Sequence, residues 1–209
     1  MSTRLSKGGR LIDRAKRLNF TFNGKPMQGY EGDTLASALL GAGQVMVGRS
    51  FKYHRPRGII ASGVEEPNAL VGLGRNARFE PDQRTTTTEL FEGAETRSQN
   101  HWPSLEYDIG EINDSFYKFL PAGFYYKTFM APQAAWKHLF EPIIRKSAGL
   151  GAVPKEADPD RYEQAYAHCD VLVVGGGVAG LAAALREGRA GKRVWLIEQT
   201  AHWGGRTPV

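Results

Sequence analysis

The chain has 209 residues, enough for one large domain or two small ones, and its 41% apolar content is that of an ordinary soluble protein. No apolar run is long enough to span a membrane. The basic start (Arg4, Lys7, Arg10, Arg14, Lys16, Arg17) has no apolar stretch behind it, which argues against a secretory signal, while a mitochondrial address stays open. A net charge of +5 is mild and by itself a weak signal, which argues against nucleic-acid binding. The single cysteine, Cys169, rules out an internal disulfide and a metal or iron–sulfur site held by several cysteines, and fits a reducing, cytoplasmic setting. No metal site is expected.

Residues 1 to 17 read as a polar, basic lead-in. Leu18–Phe22 alternates as a strand does, Asn23-Gly24 tolerates the positive φ of a tight hairpin, and residues 25 to 30 form the return strand. Asp33 or Thr34 then caps a helix with the apolar stripe Leu35, Ala36, Ala38, Leu39 and Leu40, ended by Gly41 and Gly43. Hairpin, helix and further short strands are the order of a β-grasp domain, which is assigned to residues 18–108. Within it, residues 49 to 63 form a basic, turn-rich loop. Val64–Val71 is read as a return to strand, and the threonines 85 to 88 as extended chain. Residues 109 to 167 crowd aromatics (Phe116, Tyr117, Phe119, Phe124, Trp136, Phe140) between Pro121, Pro132 and Pro142, so short pieces are expected. Such a stretch either wraps a core or docks onto another subunit. Residues 149 to 160 look like a connector.

From residue 168 the pattern changes. Asp170–Val174 reads as a buried parallel strand, Val178–Ala190 as a helix, Gly191-Lys192 as a turn and Arg193–Ile197 as a second strand, which makes a βαβ unit. Gly175, Gly177 and Gly180 match G-x-G-x-x-G. Alone that pattern is weak. Here it follows a strand, opens a helix, and has an acid, Glu198, at the end of the next strand, the context a dinucleotide site requires. Gly175 permits the tight turn, Gly177 lets a pyrophosphate approach the backbone, and Gly180 lets helix and strand pack closely. The helix start offers N–H groups and positive dipole to phosphates. Glu198 suits ribose hydroxyls and would repel a 2′-phosphate, which favours NAD or FAD over NADP. Gly204-Gly205 allows the chain to bend back under the nucleotide, where Arg206 could reach a phosphate. Residues 168–209 are thus read as a truncated Rossmann-type unit. With only two parallel strands, the chain is expected to be an N-terminal fragment of a longer polypeptide, inactive alone.

The run Lys52-Tyr53-His54-Arg55-Pro56-Arg57-Gly58, with Glu66-Pro67-Asn68-Ala69, Phe124–Phe129, the 144–151 segment and the Gly-rich unit, resembles the alpha-subunit family of heterotetrameric sarcosine oxidases. The resemblance covers nearly the whole chain from Leu18 onward. It implies a ferredoxin-like β-grasp domain, then a nucleotide-binding domain, with a folate-binding, aminomethyltransferase-like region following in full-length members. It implies oxidative demethylation of sarcosine to glycine with O2, giving peroxide and formaldehyde or methylene-tetrahydrofolate. It implies NAD in this chain, FAD in the beta subunit, a covalent FMN at the alpha–beta contact, and beta, gamma and delta-type partners. Carried over, the NAD contacts are Ala179, Glu198, Gln199, Thr200 and Arg206. Related subunits hold an iron–sulfur cluster with four cysteines in the β-grasp loop. This chain has no cysteine before Cys169, so that loop cannot hold one.

Arg49, Lys52, His54, Arg55 and Arg57 could cradle a flavin phosphate or an acidic partner. A loop satisfied by its own hydrogen bonds is the simpler reading, with His54 structural rather than catalytic. Cys169 reads as an inert thiol. Two rival functions remain: an FAD-binding subunit of a related amine or opine dehydrogenase, and a non-catalytic assembly fragment.

Overall fold

The computed structural model describes residues 3–127, 129, 131–149 and 151–205. The chain divides into two compact units, Met1–Ser6 with Ile12–Pro159, and Lys7–Leu11 with Asp160–Val209.

The first unit is built on a five-stranded mixed sheet in the order β2-β1-β7-β5-β6. Strands β1 (Asp13–Phe22) and β2 (Lys25–Glu31) form the hairpin, with Phe22 opposite Lys25 and Asn23 and Gly24 at φ 52° and 75°. The turn is anchored beyond its own strands. The Asn23 side chain accepts from the Ser98 N–H at 2.8 Å and donates to the Ser98 hydroxyl at 2.8 Å. Helix α1 (Leu35–Gly41) follows, with Thr34 as its cap accepting from the Ser37 N–H at 3.2 Å. Then come the two-residue strands β3 (Gly48–Arg49) and β4 (Pro56–Arg57), which pair with each other. Strand β5 (Leu70–Leu73) lies antiparallel to both β6 (Glu80–Arg84) and β7 (Ala94–Ser98), and β7 runs parallel to β1. The period-2 alternation of β1 sends Phe20 and Phe22 inward, where Leu35, Ala38 and Leu39 of α1 meet them with Val47, Val71, Leu90 and Leu105.

Three sequence expectations change here. Strand β1 begins at Asp13, inside the stretch read as lead-in, and Arg4 reaches the fully buried Asp33 through two bonds of 2.9 and 2.7 Å. A buried carboxylate needs donors, and this one recruits the N-terminal arm. Val64–Ala69 is loop rather than strand, and β5 starts only at Leu70. The threonines are not extended: Thr85–Thr87 form a turn, and the Thr87 and Thr88 hydroxyls both donate to the Arg84 carbonyl. Local back-bonding by threonine hydroxyls outweighs β propensity there.

Past β7 the chain forms the short pieces its prolines require: α2 (Ile112–Ser115), α3 (Phe124–Lys127), α4 (Gln133–Ala135), a π-helical turn Trp136–Phe140, and α5 (Glu141–Ala148). Phe129 packs between the rings of Phe124 and Phe140, whereas Phe116, Tyr117 and Phe119 are more than half exposed.

The second unit contains β8 (Val171–Val174), α6 (Val178–Arg189) and β9 (Val194–Ile197). The two strands are parallel, with Val171 opposite Val194 and Val174 opposite Ile197. Asp170 fastens their start, accepting from the Arg193 N–H at 2.7 Å. The apolar run of β8 predicts a buried strand, yet Leu172 and Val174 are exposed with Trp195 and Ile197 of β9. Helix α6 packs on the opposite face, where Gly180 approaches Val173, so among the described residues of this unit only one face of the pair is covered.

Candidate functional site

The turn between β8 and α6 gathers most of the residues singled out by sequence. Gly175 stands at φ 100°, in the region that disfavours side chains, and its N–H donates to the Ile197 carbonyl at 2.8 Å. Gly180, in the first turn of α6, faces the Gly175 carbonyl so closely that a methyl group would overlap it. Gly177 differs: a methyl group there would meet nothing within 4 Å. It is the N-cap of α6, and no side chain caps the helix. Among the described residues no side chain takes the main-chain N–H groups of the first turn, the groups that bind an anion at a helix start. Ala179 is exposed on that turn.

Glu198 comes to the same turn from the end of β9. One carboxylate oxygen accepts from the Gly176 N–H at 2.6 Å, and the other from the N–H groups of Gln199 (2.8 Å) and Thr200 (3.2 Å). The N–H groups of Gly176, Thr200 and Gln199 hold its carboxyl below the usual carboxylate range. Gln199 and Thr200 thus supply main-chain donors to Glu198, and their side chains are exposed. The chain then returns. Gly204 pairs with Gly177, and its N–H donates to the Gly176 carbonyl at 2.8 Å. Gly205, at φ 58°, lies beside Gly177. Arg206 falls outside the described residues. Sequence reasoning missed Trp203, whose ring lies over Gly176, 2.5 Å from where a methyl group at that position would sit. Its place just before the glycine pair was the available signal.

The basic loop has its own partners. Arg49 is buried and donates to the carbonyls of Leu105, His54 and Glu106 at 2.9, 2.9 and 3.0 Å, with Glu111 3.0 Å away. His54, at φ 54°, places Nδ1 2.6 Å from the fully buried Asp108 carboxylate. Burial alone would raise the Asp108 pKa, but bonds from the Trp102 N–H, the His54 ring and the Gly110 N–H outweigh it and lower the value. Lys52 donates to the Pro121 carbonyl at 3.1 Å, and Arg55 pairs with Asp114. These four side chains tie the loop to residues 105–121.

The family of 2Fe-2S iron-sulfur cluster binding domains matches residues 15–101, and the FAD dependent oxidoreductase family matches residues 170–208. Clusters of the first kind are held by cysteine thiolates. Residues 15–101 contain none, so the side chains present do not fit a 2Fe-2S cluster. Sarcosine oxidase subunit alpha of Rhizobium meliloti (strain 1021) is 61% identical over 204 residues, which is 98% of this chain and 21% of the relative. The Corynebacterium sp. (strain P-1) subunit is 38% identical over 93% of this chain and 15% of its own length. A solved L-proline dehydrogenase from P. horikoshii aligns with 92% of this chain and 26% of its own at 20% identity, with a TM-score of 0.45, too slight to bear on the fold. The chain therefore spans about a fifth or less of the curated relatives it matches. Over nearly all of its own length it is similar to sarcosine oxidase alpha subunits, at 34 to 61% identity.

Proposed function

We propose that this chain is the dinucleotide-binding portion of an oxidoreductase subunit of the sarcosine oxidase alpha type. The observation that carries the reading is the turn open at Gly177, with the Glu198 carboxylate fastened beside it. Main-chain N–H groups of the first turn of α6 bind the pyrophosphate, Ala179 lines the approach, and Glu198, positioned by Gln199 and Thr200, accepts from ribose hydroxyls. Gly204 and Gly205 close the loop under the nucleotide, and Arg206 is assigned to a phosphate. In this reading the first unit is a ferredoxin-like β-grasp domain over residues 18–108, with 109–167 as a docking segment. The second unit is the start of a Rossmann-type domain. A bound nicotinamide or flavin supplies two-electron chemistry. This chain's residues bind and orient it.

NAD is the first choice, because the relatives are sarcosine oxidase alpha subunits and the resemblance implies NAD there. FAD is the second, favoured by the oxidoreductase family matching residues 170–208. Sarcosine as substrate, O2 as acceptor, and beta, gamma and delta-type partners with their FMN and FAD complete the proposal. The test is to denature the purified full-length subunit and identify the released nucleotide by mass spectrometry. NAD or FAD supports the reading, and a visible flavin band selects FAD. A subunit that releases neither, and binds neither in titration, overturns it.

A further inference from the structure

The loop between β4 and β5, residues 58–69, is organised around one carboxylate. Glu66 is fully buried. One of its oxygens accepts from the N–H groups of Ile60 (2.8 Å) and Ala61 (2.7 Å), and the other from Asn68 (2.8 Å) and Ala69 (3.2 Å). Four main-chain donors from both arms of the loop thus converge on one negative charge. Burial opposes that charge, but the four bonds outweigh it and hold the carboxyl below its ordinary range. The rim is closed from outside. The Thr85 N–H and hydroxyl both donate to the Ala69 carbonyl at 3.0 Å, and the Thr86 hydroxyl donates to the Gly63 carbonyl at 2.7 Å.

The spacing of this cradle is informative. Plant-type iron–sulfur loops place cysteines as C-x4-C-x2-C, and hydrogen bonds to the sulfurs tune the cluster. Ala61, Glu66 and Ala69 stand in that register, within the residues that match the 2Fe-2S family. Both alanines donate their N–H to the carboxylate between them. We infer that Glu66 occupies the place of an iron–sulfur cluster: within the residues that match the 2Fe-2S family the loop offers a cradle of N–H donors, and a carboxylate of this chain fills it. The loop then closes without metal, around an anion supplied by the chain.

Hydrogen exchange on the full-length subunit tests this, with wild type, Glu66→Gln and Glu66→Ala compared after anaerobic incubation with ferrous iron and sulfide. The wild type takes up no stoichiometric iron and protects the amides of Ile60, Ala61, Asn68 and Ala69 at neutral pH. Glu66→Gln turns an NH2 group toward two N–H donors, so protection across 58–69 falls about tenfold or more, while β1 and β2 stay protected. Glu66→Ala does the same or worse. If neither variant folds, a wild-type pH series decides, since protection corrected for intrinsic rate must fall at those four amides as the carboxylate is protonated. Unchanged protection in a folded Glu66→Ala protein, protection indifferent to acid, or a wild-type chain that acquires stoichiometric iron and sulfide would each overturn the inference.

Discussion

Gly177 and Gly180 lie one turn apart and answer to different constraints. At Gly180 there is no room for a methyl group against the Gly175 carbonyl, whereas Gly177 borders open space. Gly180→Ala is therefore expected to distort the β8–α6 turn, lowering the melting temperature of the second unit and abolishing dinucleotide binding together. Gly177→Ala is expected to fold normally, by circular dichroism and melting, yet to bind nucleotide weakly. Equal affinity in Gly177→Ala and wild type would place the pyrophosphate elsewhere. Glu198→Gln keeps the size but removes a charged acceptor, so titration calorimetry should show about 10- to 100-fold weaker binding. At Arg4 the consequence is for stability. Asp33 is fully buried and also accepts from the Tyr30 N–H and the Ser37 hydroxyl, so Arg4→Ala leaves it partly satisfied. The cost should fall near the low end for a broken buried pair, about 3 kcal/mol by urea unfolding.

At the scale of elements, what was legible in the sequence was contiguous. The Asn23-Gly24 hairpin, the α1 stripe behind its threonine cap, and the β8–α6–β9 order each follow from residues within one turn or strand of one another. What escaped depends on side-chain bonds that override the local pattern, with partners near or far. The buried Glu66 carboxylate takes the Asn68 and Ala69 N–H groups, which removes them from any ladder, and residue type alone does not mark that glutamate as buried. The pairing of His54 with Asp108 joins residues 54 positions apart, and neither carries a local cue. The threonines at 85 to 88 misled because propensity weighs side-chain shape, while here their hydroxyls bond locally to the Arg84 carbonyl. The glycine motif was legible as a turn and Gly204-Gly205 as a bend back, but the bridge that joins Gly204 to Gly177 lies beyond the ends of both strands and has no sequence cue of its own. Thr34→Ala probes the legible part: losing the cap of α1 should cost about 1 kcal/mol, read as a lower urea midpoint with unchanged slope.

For the whole molecule, the buried carboxylates set a pH dependence. Glu66 and Asp108 both have folded values below their unfolded ones, so the ionised forms are favoured in the native state. Their contribution is complete above the unfolded values, near 4.5 and 3.8, and is lost as pH falls from there through the lower folded values. Thermal melts from neutral pH downward should show the first unit stable until that window and then falling steeply, and Asp108→Asn should flatten part of the fall. The tryptophans make such transitions separable by light. Trp102 and Trp136 belong to the first unit, Trp195 and Trp203 to the second. Trp203 is more than half exposed, with its indole resting on Gly176. The protein thus carries its own fluorophore beside the turn proposed to bind the nucleotide, and under that proposal ligand entry is open to stopped-flow emission without any attached dye.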